Sequence, residues 1–264
     1  MSPRGALKVV GTGFLGVGQI TPESRRAIER ADRVFYLVSD VCTAHWIHGR
    51  NRAAESLHDC YAEGTPRSES YRRMVDRILA PVREGRRVCA VFYGHPGIVA
   101  DPSHDSIRRA REEGHDARML PGISAEDCLV ADLGIDPVDD GLQSFEASHF
   151  LLRRPRFDPT VGLLLWQVGA IGVSSFLERP VWNPEGVAVL AEVLLESYPS
   201  AHEAVLYQAA TLPVCEPVIP RLPLGDLARA EVPLMATLYV PPYGSRPFDA
   251  AMARRLGVPP PAAG

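Results

Sequence analysis

Short apolar runs alternate with helix-start signals along the first half of the chain. We predict buried strands at residues 7–10, 34–38, 88–92 and 118–120. Between these runs, N-capping residue types predict helix starts at Thr21, Asp40, Ser68, Ser103 and Ser124. Gly85 and Gly114 are placed to end two of these helices. Strands that alternate with helices are typical of a largely parallel sheet, so we expect an α/β fold.

The second half of the chain carries more strand patterns than helix patterns. Residues 137–141 are rich in turn-forming types and predict a boundary between two α/β domains, 1–137 and 138–264. Beyond it we predict helices near 185–197 and 248–256, and strands at 143–146, 163–166, 204–208, 217–222 and 235–240. Because strands outnumber helices here, we expect the second sheet to be mixed.

Composition and charge narrow the class of protein. The chain has 264 residues, of which 46% are hydrophobic and 23% charged, as in ordinary globular proteins. A net charge of −4 argues against a protein that coats nucleic acid or an anionic membrane. Residues 1–8 lack a signal-peptide pattern, and the most apolar stretch, 161–177, contains Gln167 and several glycines. We therefore expect a cytoplasmic protein without a membrane span.

The cysteines argue against a disulfide framework or a structural zinc site. There are five, scattered along the chain, and no pair has C-x-x-C spacing. A reducing compartment fits this usage, and we expect no metal.

Glycine-rich segments follow three of the predicted strands. Gly11, Gly13 and Gly16 fit the G-x-G-x-x-G pattern. No acidic residue ends the second strand where a ribose would need one, so we favour a ligand-facing loop over a nicotinamide site. A plain tight loop is the alternative. The runs 93–100 and 120–125 also follow strands, and open α/β sheets bind ligands at such carboxyl ends.

Several of these segments together resemble the tetrapyrrole methylase superfamily. The resemblance is carried by Gly11-Thr12-Gly13, residues 31–36, Tyr93-Gly94-His95-Pro96-Gly97, residues 108–114 and residues 120–125, and it extends over nearly all of 7–242. It implies a class III methyltransferase fold, in which a cleft between two α/β subdomains holds S-adenosylmethionine. The domain 138–264 would then complete the cofactor site.

Two departures from the tetrapyrrole enzymes point to a narrower resemblance. Those enzymes usually carry Gly-x-Gly-Pro-Gly in the first loop and an acidic residue where His95 stands, whereas Phe14-Leu15-Gly16 follows Gly13 here. Both features are similar to the borosin peptide backbone α-N-methyltransferases. So are residues 18–21, 131–137, 143–147 and 165–167.

The borosin resemblance implies a catalytic group. In that family a Tyr, an Arg six residues on, a Tyr four further on and a Tyr opening the Gly-His-Pro-Gly loop act together. This chain matches that spacing with Tyr61, Arg67, Tyr71 and Tyr93. The alternative is that Tyr71 only packs and that Arg67 is a solvated loop charge.

The chemistry of amide methylation explains why such residues are needed. A backbone amide N–H is a very weak acid, so methylation requires removal of its proton and stabilisation of charge on the carbonyl oxygen. A phenol titrates near pH 10, and we expect the Tyr71 pKa to be lowered by Arg67 and by a place in the first turn of a helix. Tyr61 and Tyr93 would donate hydrogen bonds to the oxygen.

The superfamily resemblance also implies which residues bind the cofactor. The matching positions are Tyr93, His95, Ile98, Val99, Ala100, Ser124, Ala125, Gln167, Tyr207, Ala236 and Thr237. The first glycine loop would line the same cleft. No metal is required, because a sulfonium already makes its methyl group electrophilic.

The borosin resemblance also raises the question of whether the substrate peptide is part of this chain. Fungal borosins carry the methylated peptide at their own C-terminus, but three of residues 258–264 are prolines, which lack an N–H to methylate. We therefore expect a separate precursor peptide, bound in trans to a homodimer to give a heterotetramer. A tetrapyrrole-type small-molecule methyltransferase and a non-catalytic cofactor-binding protein are the alternatives.

Overall fold

A five-stranded parallel sheet forms the first layer of the protein. The computed structural model describes residues 4–178 and 182–259. The strands are β1 (Ala6–Gly11), β2 (Arg33–Leu37), β3 (Ala54–Ser56), β4 (Arg87–Phe92) and β5 (Asp116–Met119), in the spatial order β3-β2-β4-β1-β5. Every pairing in this sheet is parallel. The predicted parallel sheet is confirmed, although the short strand β3 was not predicted.

Helices connect these strands, as parallel pairing requires. They are α1 (Pro22–Arg30), α2 (Val41–Arg50), α3 (Arg67–Arg83) and α4 (Asp101–Glu112). The Thr21 and Asp40 side chains cap α1 and α2 as predicted, each accepting a backbone N–H three residues on. Two predicted starts are wrong, since α3 begins after Pro66 and α4 after Ala100, leaving Ser68 and Ser103 inside the first turns.

A second, mixed sheet contains the later strands. These are β6 (Leu142–Glu146), β7 (Gly162–Trp166), β8 (Glu203–Tyr207), β9 (Arg221–Pro223) and β10 (Thr237–Val240), in the order β6-β7-β10-β8-β9. Only β6 and β7 run parallel among these neighbours. The expected mixed sheet is confirmed. The strand predicted at 217–222 is largely replaced by β9, with an isolated pairing of Gln208 and Val218 before it.

The remaining helices follow β5 along the chain. They are α5 (Ala125–Leu133), α6 (Ala147–Arg153), α7 (Pro184–Leu195) and α8 (Ala250–Leu256). The α5 residue Leu129 is fully buried with Leu164, Val205 and Tyr207 of the second sheet. The polypeptide thus reaches the second sheet before residue 137, and the boundary there stays a prediction. No helix of the described residues combines the length and the apolar character needed to cross a membrane.

Candidate active site

Two glycine loops meet where β1 and β4 end. Gly13 and Gly94 form an isolated backbone pairing, in which the Gly94 N–H donates to the Gly13 carbonyl at 2.9 Å. A Cβ on Gly11 would lie 2.2 Å from the Gly94 carbonyl oxygen. Because glycine has no side chain, the two backbones can approach this closely. Glycine is therefore required at these positions by the lack of space as well as by turn geometry.

The amide of Gln19 holds the first loop in shape. Its Oε1 accepts hydrogen bonds from the backbone N–H groups of Phe14 at 2.6 Å and Leu15 at 3.1 Å. Its Nε2 donates to the Cys128 sulfur on α5 at 3.5 Å. Gln19 therefore satisfies backbone donors that the tight loop leaves unpaired, and it ties the loop to α5.

A cleft of about 790 Å³, open at its mouth, lies beside these loops. This volume includes open solvent at the mouth, and most of the lining is apolar, as is typical of small-molecule sites. The structure brings together nine of the predicted cofactor residues along its walls: Tyr93, His95, Ile98, Val99, Ser124, Ala125, Gln167, Tyr207 and Thr237. Ala100 and Ala236 are not among the lining residues; each adjoins a residue that is.

Sequence reasoning missed part of the lining. The additional residues are Phe14, Ser39, Gly94, Trp166, Gln208, Ala209, Thr211 and Met235. Adjacency was the available signal for half of them, since Gly94, Trp166, Gln208 and Met235 are immediate chain neighbours of predicted positions. Ala209 lies two residues from Tyr207, and Phe14 lies in the first glycine loop, which was expected to line the cleft. Ser39 and Thr211 have no such signal, because they arrive from loops whose course the sequence pattern did not define.

Two cleft residues adopt backbone angles that are rare for them. Val99 has φ 49° and Gln167 has φ 57°, both in the left-handed region. For a β-branched residue such as Val99 this conformation is a clear outlier. Strain of this kind persists where the surrounding structure fixes the backbone, and it concentrates at binding sites.

Polar groups in the cleft are held by specific partners. Ser124 caps α5 and forms a reciprocal pair with Asp127, whose carboxylate accepts the Ser124 N–H at 2.7 Å. The Tyr207 hydroxyl donates to the Asp132 carboxylate at 2.7 Å. Burial lowers the pKa of His95, and its Nδ1 accepts the Gly97 N–H at 3.0 Å. The neutral His95 ring therefore carries its hydrogen on Nε2.

The four predicted catalytic side chains gather next to the cleft. The Tyr61 and Tyr71 rings lie edge to face with centroids 6.5 Å apart. Burial raises the pKa of Tyr61 and that of Tyr93, and both groups lie within electrostatic range of Tyr71 and Arg67. We call Tyr61, Arg67, Tyr71 and Tyr93 the catalytic cluster. Tyr93 also lines the cleft, so it belongs to both the cluster and the cleft.

Helix α3 places Arg67 and Tyr71 differently from the sequence expectation. The helix begins at Arg67, so Tyr71 is its fifth residue and lies in the second turn rather than the first. The dipole argument for Tyr71 is therefore weakened, because the effect fades beyond the first turn. Arg73, Arg77 and Arg83 of α3 form ion pairs. No carboxylate in the described part of the chain pairs with Arg67, which lies within electrostatic range of Tyr61 and Tyr93.

Metal-ligating residue types do not cluster in the part of the chain that the structure describes. Within residues 4–178 and 182–259, no three His, Cys, Asp or Glu side chains lie close enough together to hold a metal ion. Burial also raises the pKa of Cys128, whose sulfur accepts from Gln19 of the first loop, and this keeps its thiol protonated.

Comparison with known proteins places the chain among methylases. The family Tetrapyrrole (Corrin/Porphyrin) Methylases matches residues 6–228. The uroporphyrin-III-C-methyltransferase structure from Thermus thermophilus superposes with a TM-score of 0.64 at 22% identity, covering 90% of this chain and 93% of that one. This likeness confirms the expected fold.

Curated relatives are more similar in sequence. The methyltransferase and gymnopeptide cyclic-peptide precursor of Gymnopus fusipes is 41% identical over 96% of this chain and 61% of its own length. A methyltransferase and type III borosin cyclic-peptide precursor of Anomoporia bombycina is 38% identical over 96% of this chain and 30% of its own length. The chain thus spans about three fifths or less of the length of these two relatives.

Proposed function

Because the chain belongs to the tetrapyrrole methylase family, we propose that it is an S-adenosylmethionine-dependent methyltransferase that methylates backbone nitrogens of a peptide. The observation that carries this proposal is the group of three tyrosines and one arginine beside the cleft. The names of the curated relatives, which join a methyltransferase to a cyclic-peptide precursor, support the same substrate class.

The cleft suits S-adenosylmethionine. Its aromatic and aliphatic walls can enclose an adenine, and the glycine backbones at the ends of β1 and β4 admit a ligand closely. Ser124, Gln167 and Gln208 are among the residues that place polar groups along a mostly apolar lining. When bound, the cofactor would supply an electrophilic methyl group.

The protonated tyrosine hydroxyls of the cluster can donate hydrogen bonds to the carbonyl oxygen of an amide. Because burial raises the pKa of Tyr61 and Tyr93, both keep their protons at neutral pH and can donate hydrogen bonds. Donors aimed at a developing oxyanion stabilise it most where water is excluded. In this proposal Tyr61 and Tyr93 bind the carbonyl oxygen of the peptide bond whose nitrogen is methylated.

Tyr71 is the proposed general base. Its phenolate would take the proton from the amide nitrogen. That nitrogen could then accept the methyl group that a bound S-adenosylmethionine would supply, with S-adenosylhomocysteine as the leaving group once the sulfur–methyl bond breaks. Arg67 lies on the same helix four residues earlier and has no carboxylate partner within the described residues. Its charge is therefore available to stabilise both the phenolate and the negative charge spread over the amide.

We propose further that the peptide is a separate chain and that the enzyme works as a homodimer, with two peptides completing a heterotetramer. The borosin resemblance supports this arrangement. A mass increase on a co-expressed peptide supports it directly, whereas a mass increase on the enzyme chain itself would favour a fused substrate.

The test is co-expression with each short peptide encoded beside the gene, followed by mass spectrometry. We expect a ladder of single-methyl increments that fragmentation assigns to backbone nitrogens. Tyr71→Phe removes one hydroxyl and should lower the rate by at least about a hundredfold, the usual contribution of a general base. Binding of S-adenosylhomocysteine to this variant should be unchanged in calorimetry.

Tyr243→Phe is the matched control, because Tyr243 packs against Tyr198 and His202, away from the cluster. It should methylate as the wild type does. Normal turnover by Tyr71→Phe would refute Tyr71 as the base. Unmodified peptides, together with tight binding of S-adenosylhomocysteine, would instead favour a tetrapyrrole-type small-molecule substrate.

A further inference from the structure

A segment from the second half of the chain crosses onto the catalytic cluster. Residues 174–178, here called the crossing segment, follow the turn of helix at Val168–Ala170 after β7. They run antiparallel to residues 63–67. The Gly64 N–H donates to the Phe176 carbonyl at 3.0 Å, and the Phe176 N–H donates to the Thr65 carbonyl at 2.9 Å. At the far end, the Glu178 N–H donates to the Glu63 carboxylate at 2.6 Å.

This pairing fixes the start of helix α3. Pro66 precedes the helix and offers no side-chain cap. The Arg67 N–H, which a capping side chain does not reach, donates instead to the Ser174 carbonyl at 2.9 Å. The crossing segment thus satisfies a backbone donor that every helix start leaves unpaired. The position of Arg67 therefore depends on a segment that begins seven residues after the cleft residue Gln167.

The side chain of Phe176 also contacts the catalytic cluster. Its ring stacks on Tyr61 with centroids 4.7 Å apart and an interplanar angle of 17°. On another side, Tyr61 meets the Tyr71 ring edge to face. Aromatic pairs at these distances contribute about 0.5–1.5 kcal/mol beyond the burial of their area. Two rings therefore hold Tyr61 in one orientation.

We propose that Phe176 is a positioning residue, which orients the Tyr61 hydroxyl toward the reacting peptide bond through this ring stack. The inference rests on the proposed function. Phe176 itself touches no reacting atom in this scheme. Its effect should therefore fall on the methyl-transfer step and leave cofactor affinity unchanged.

The experiment compares Phe176→Leu with Phe176→Tyr and with Phe157→Leu. Phe157 is a matched control, because it also stacks on a tyrosine, Tyr198, with an interplanar angle of 19°. The readouts are the single-turnover rate on the co-expressed peptide and the affinity for S-adenosylhomocysteine. We expect Phe176→Leu to slow transfer about tenfold to a hundredfold, the cost of misplacing a catalytic group by about 1 Å. Phe176→Tyr and Phe157→Leu should stay within about twofold of the wild-type rate.

A double-mutant cycle separates positioning from a general structural effect. If Phe176 acts through the Tyr61 hydroxyl, Phe176→Leu should add no further loss to Tyr61→Phe, because that hydroxyl is already gone. Additive losses, or equal rates for Phe176→Leu and Phe157→Leu, would overturn the proposal. Should Phe176→Leu fail to fold, Phe176→Met is measured in its place.

Nuclear magnetic resonance of ring-labelled tyrosine keeps the two proposals distinguishable. The Tyr61 signal, assigned by its loss in Tyr61→Phe, should move in Phe176→Leu when the ring current of the stack is removed. The chemical shift of the Tyr61 signal should be unchanged in Phe176→Tyr. An inactive wild type refutes the proposed function alone, whereas an unmoved Tyr61 signal in Phe176→Leu refutes the positioning role.

Discussion

Replacement of Gly11 by alanine tests the close approach of the two glycine loops. Gly11 is not among the residues with positive φ, so the constraint on it is space rather than backbone angle. An added Cβ would lie 2.2 Å from the Gly94 carbonyl oxygen and 2.8 Å from the Pro96 ring. Both neighbours are backbone or ring atoms that no side-chain rotation can move aside.

The magnitude follows from this distance. An ordinary carbon-to-oxygen contact is about 3.3 Å, so the two loops must separate by roughly 1 Å. Overpacking of this kind costs about 1–3 kcal/mol, against a gain of about 0.4–1 kcal/mol from the stiffer unfolded chain. The net loss in the free energy of unfolding should be about 1–2 kcal/mol. Because the separation breaks the Gly13–Gly94 pairing, affinity for S-adenosylhomocysteine should fall at least about tenfold.

Gly18 provides the control within the same loop. A Cβ there meets nothing within 4 Å, so Gly18→Ala should preserve or slightly raise stability and leave affinity unchanged. Urea unfolding gives the stability of both variants, and titration calorimetry gives the affinity. The reasoning is refuted if Gly11→Ala unfolds at the wild-type urea concentration and binds with wild-type affinity.

Two further predictions concern a helix cap and alkaline pH. Ser124→Ala and Thr21→Ala each remove an N-cap, so each should lower the free energy of unfolding in urea by about 1 kcal/mol. Of these two residues only Ser124 lines the cleft, so only Ser124→Ala should weaken S-adenosylhomocysteine binding in calorimetry. Equal affinities would contradict the assignment. Burial raises the pKa of Tyr198 to about 12, so the folded state holds this proton more tightly than the unfolded chain, which titrates near pH 10. The stabilisation is complete below pH ~10 and lost as the pH rises toward about 12; urea unfolding of the wild type should show a steeper alkaline loss than that of Tyr198→Phe.

Local signals in the sequence predicted the elements that local chemistry determines. The side chains of Thr21, Asp40 and Ser124 satisfy orphan N–H groups within three residues of themselves, so residue type and spacing were sufficient to place three helix starts. The cleft was predictable for a similar reason. Its glycine loops follow directly on apolar strands, and parallel topology brings such loops to one edge of a sheet.

The start of α3 depends on a distant segment, and sequence pattern predicted it wrongly. Ser68 offered a suitable cap, but the N-cap position is two residues earlier, at Pro66, and the Ser174 carbonyl accepts the Arg67 N–H from more than a hundred residues away. A long-range backbone contact replaces the local cap and leaves no trace in the spacing of residues. For the same reason Phe176 carried no signal, since nothing near it in the chain indicates that it packs on Tyr61.

The shared position of Tyr93 determines which substitution tests the chemistry cleanly. Tyr93 lines the cleft and lies within electrostatic range of Tyr71 and Arg67. Its removal would change cofactor contacts and the proposed hydrogen bond to the substrate at once, so a lost rate there has two explanations. Tyr71 contacts Tyr61 but does not line the cleft. A loss of transfer at Tyr71 with intact cofactor binding therefore has one explanation within the proposed mechanism, the missing hydroxyl that takes the amide proton.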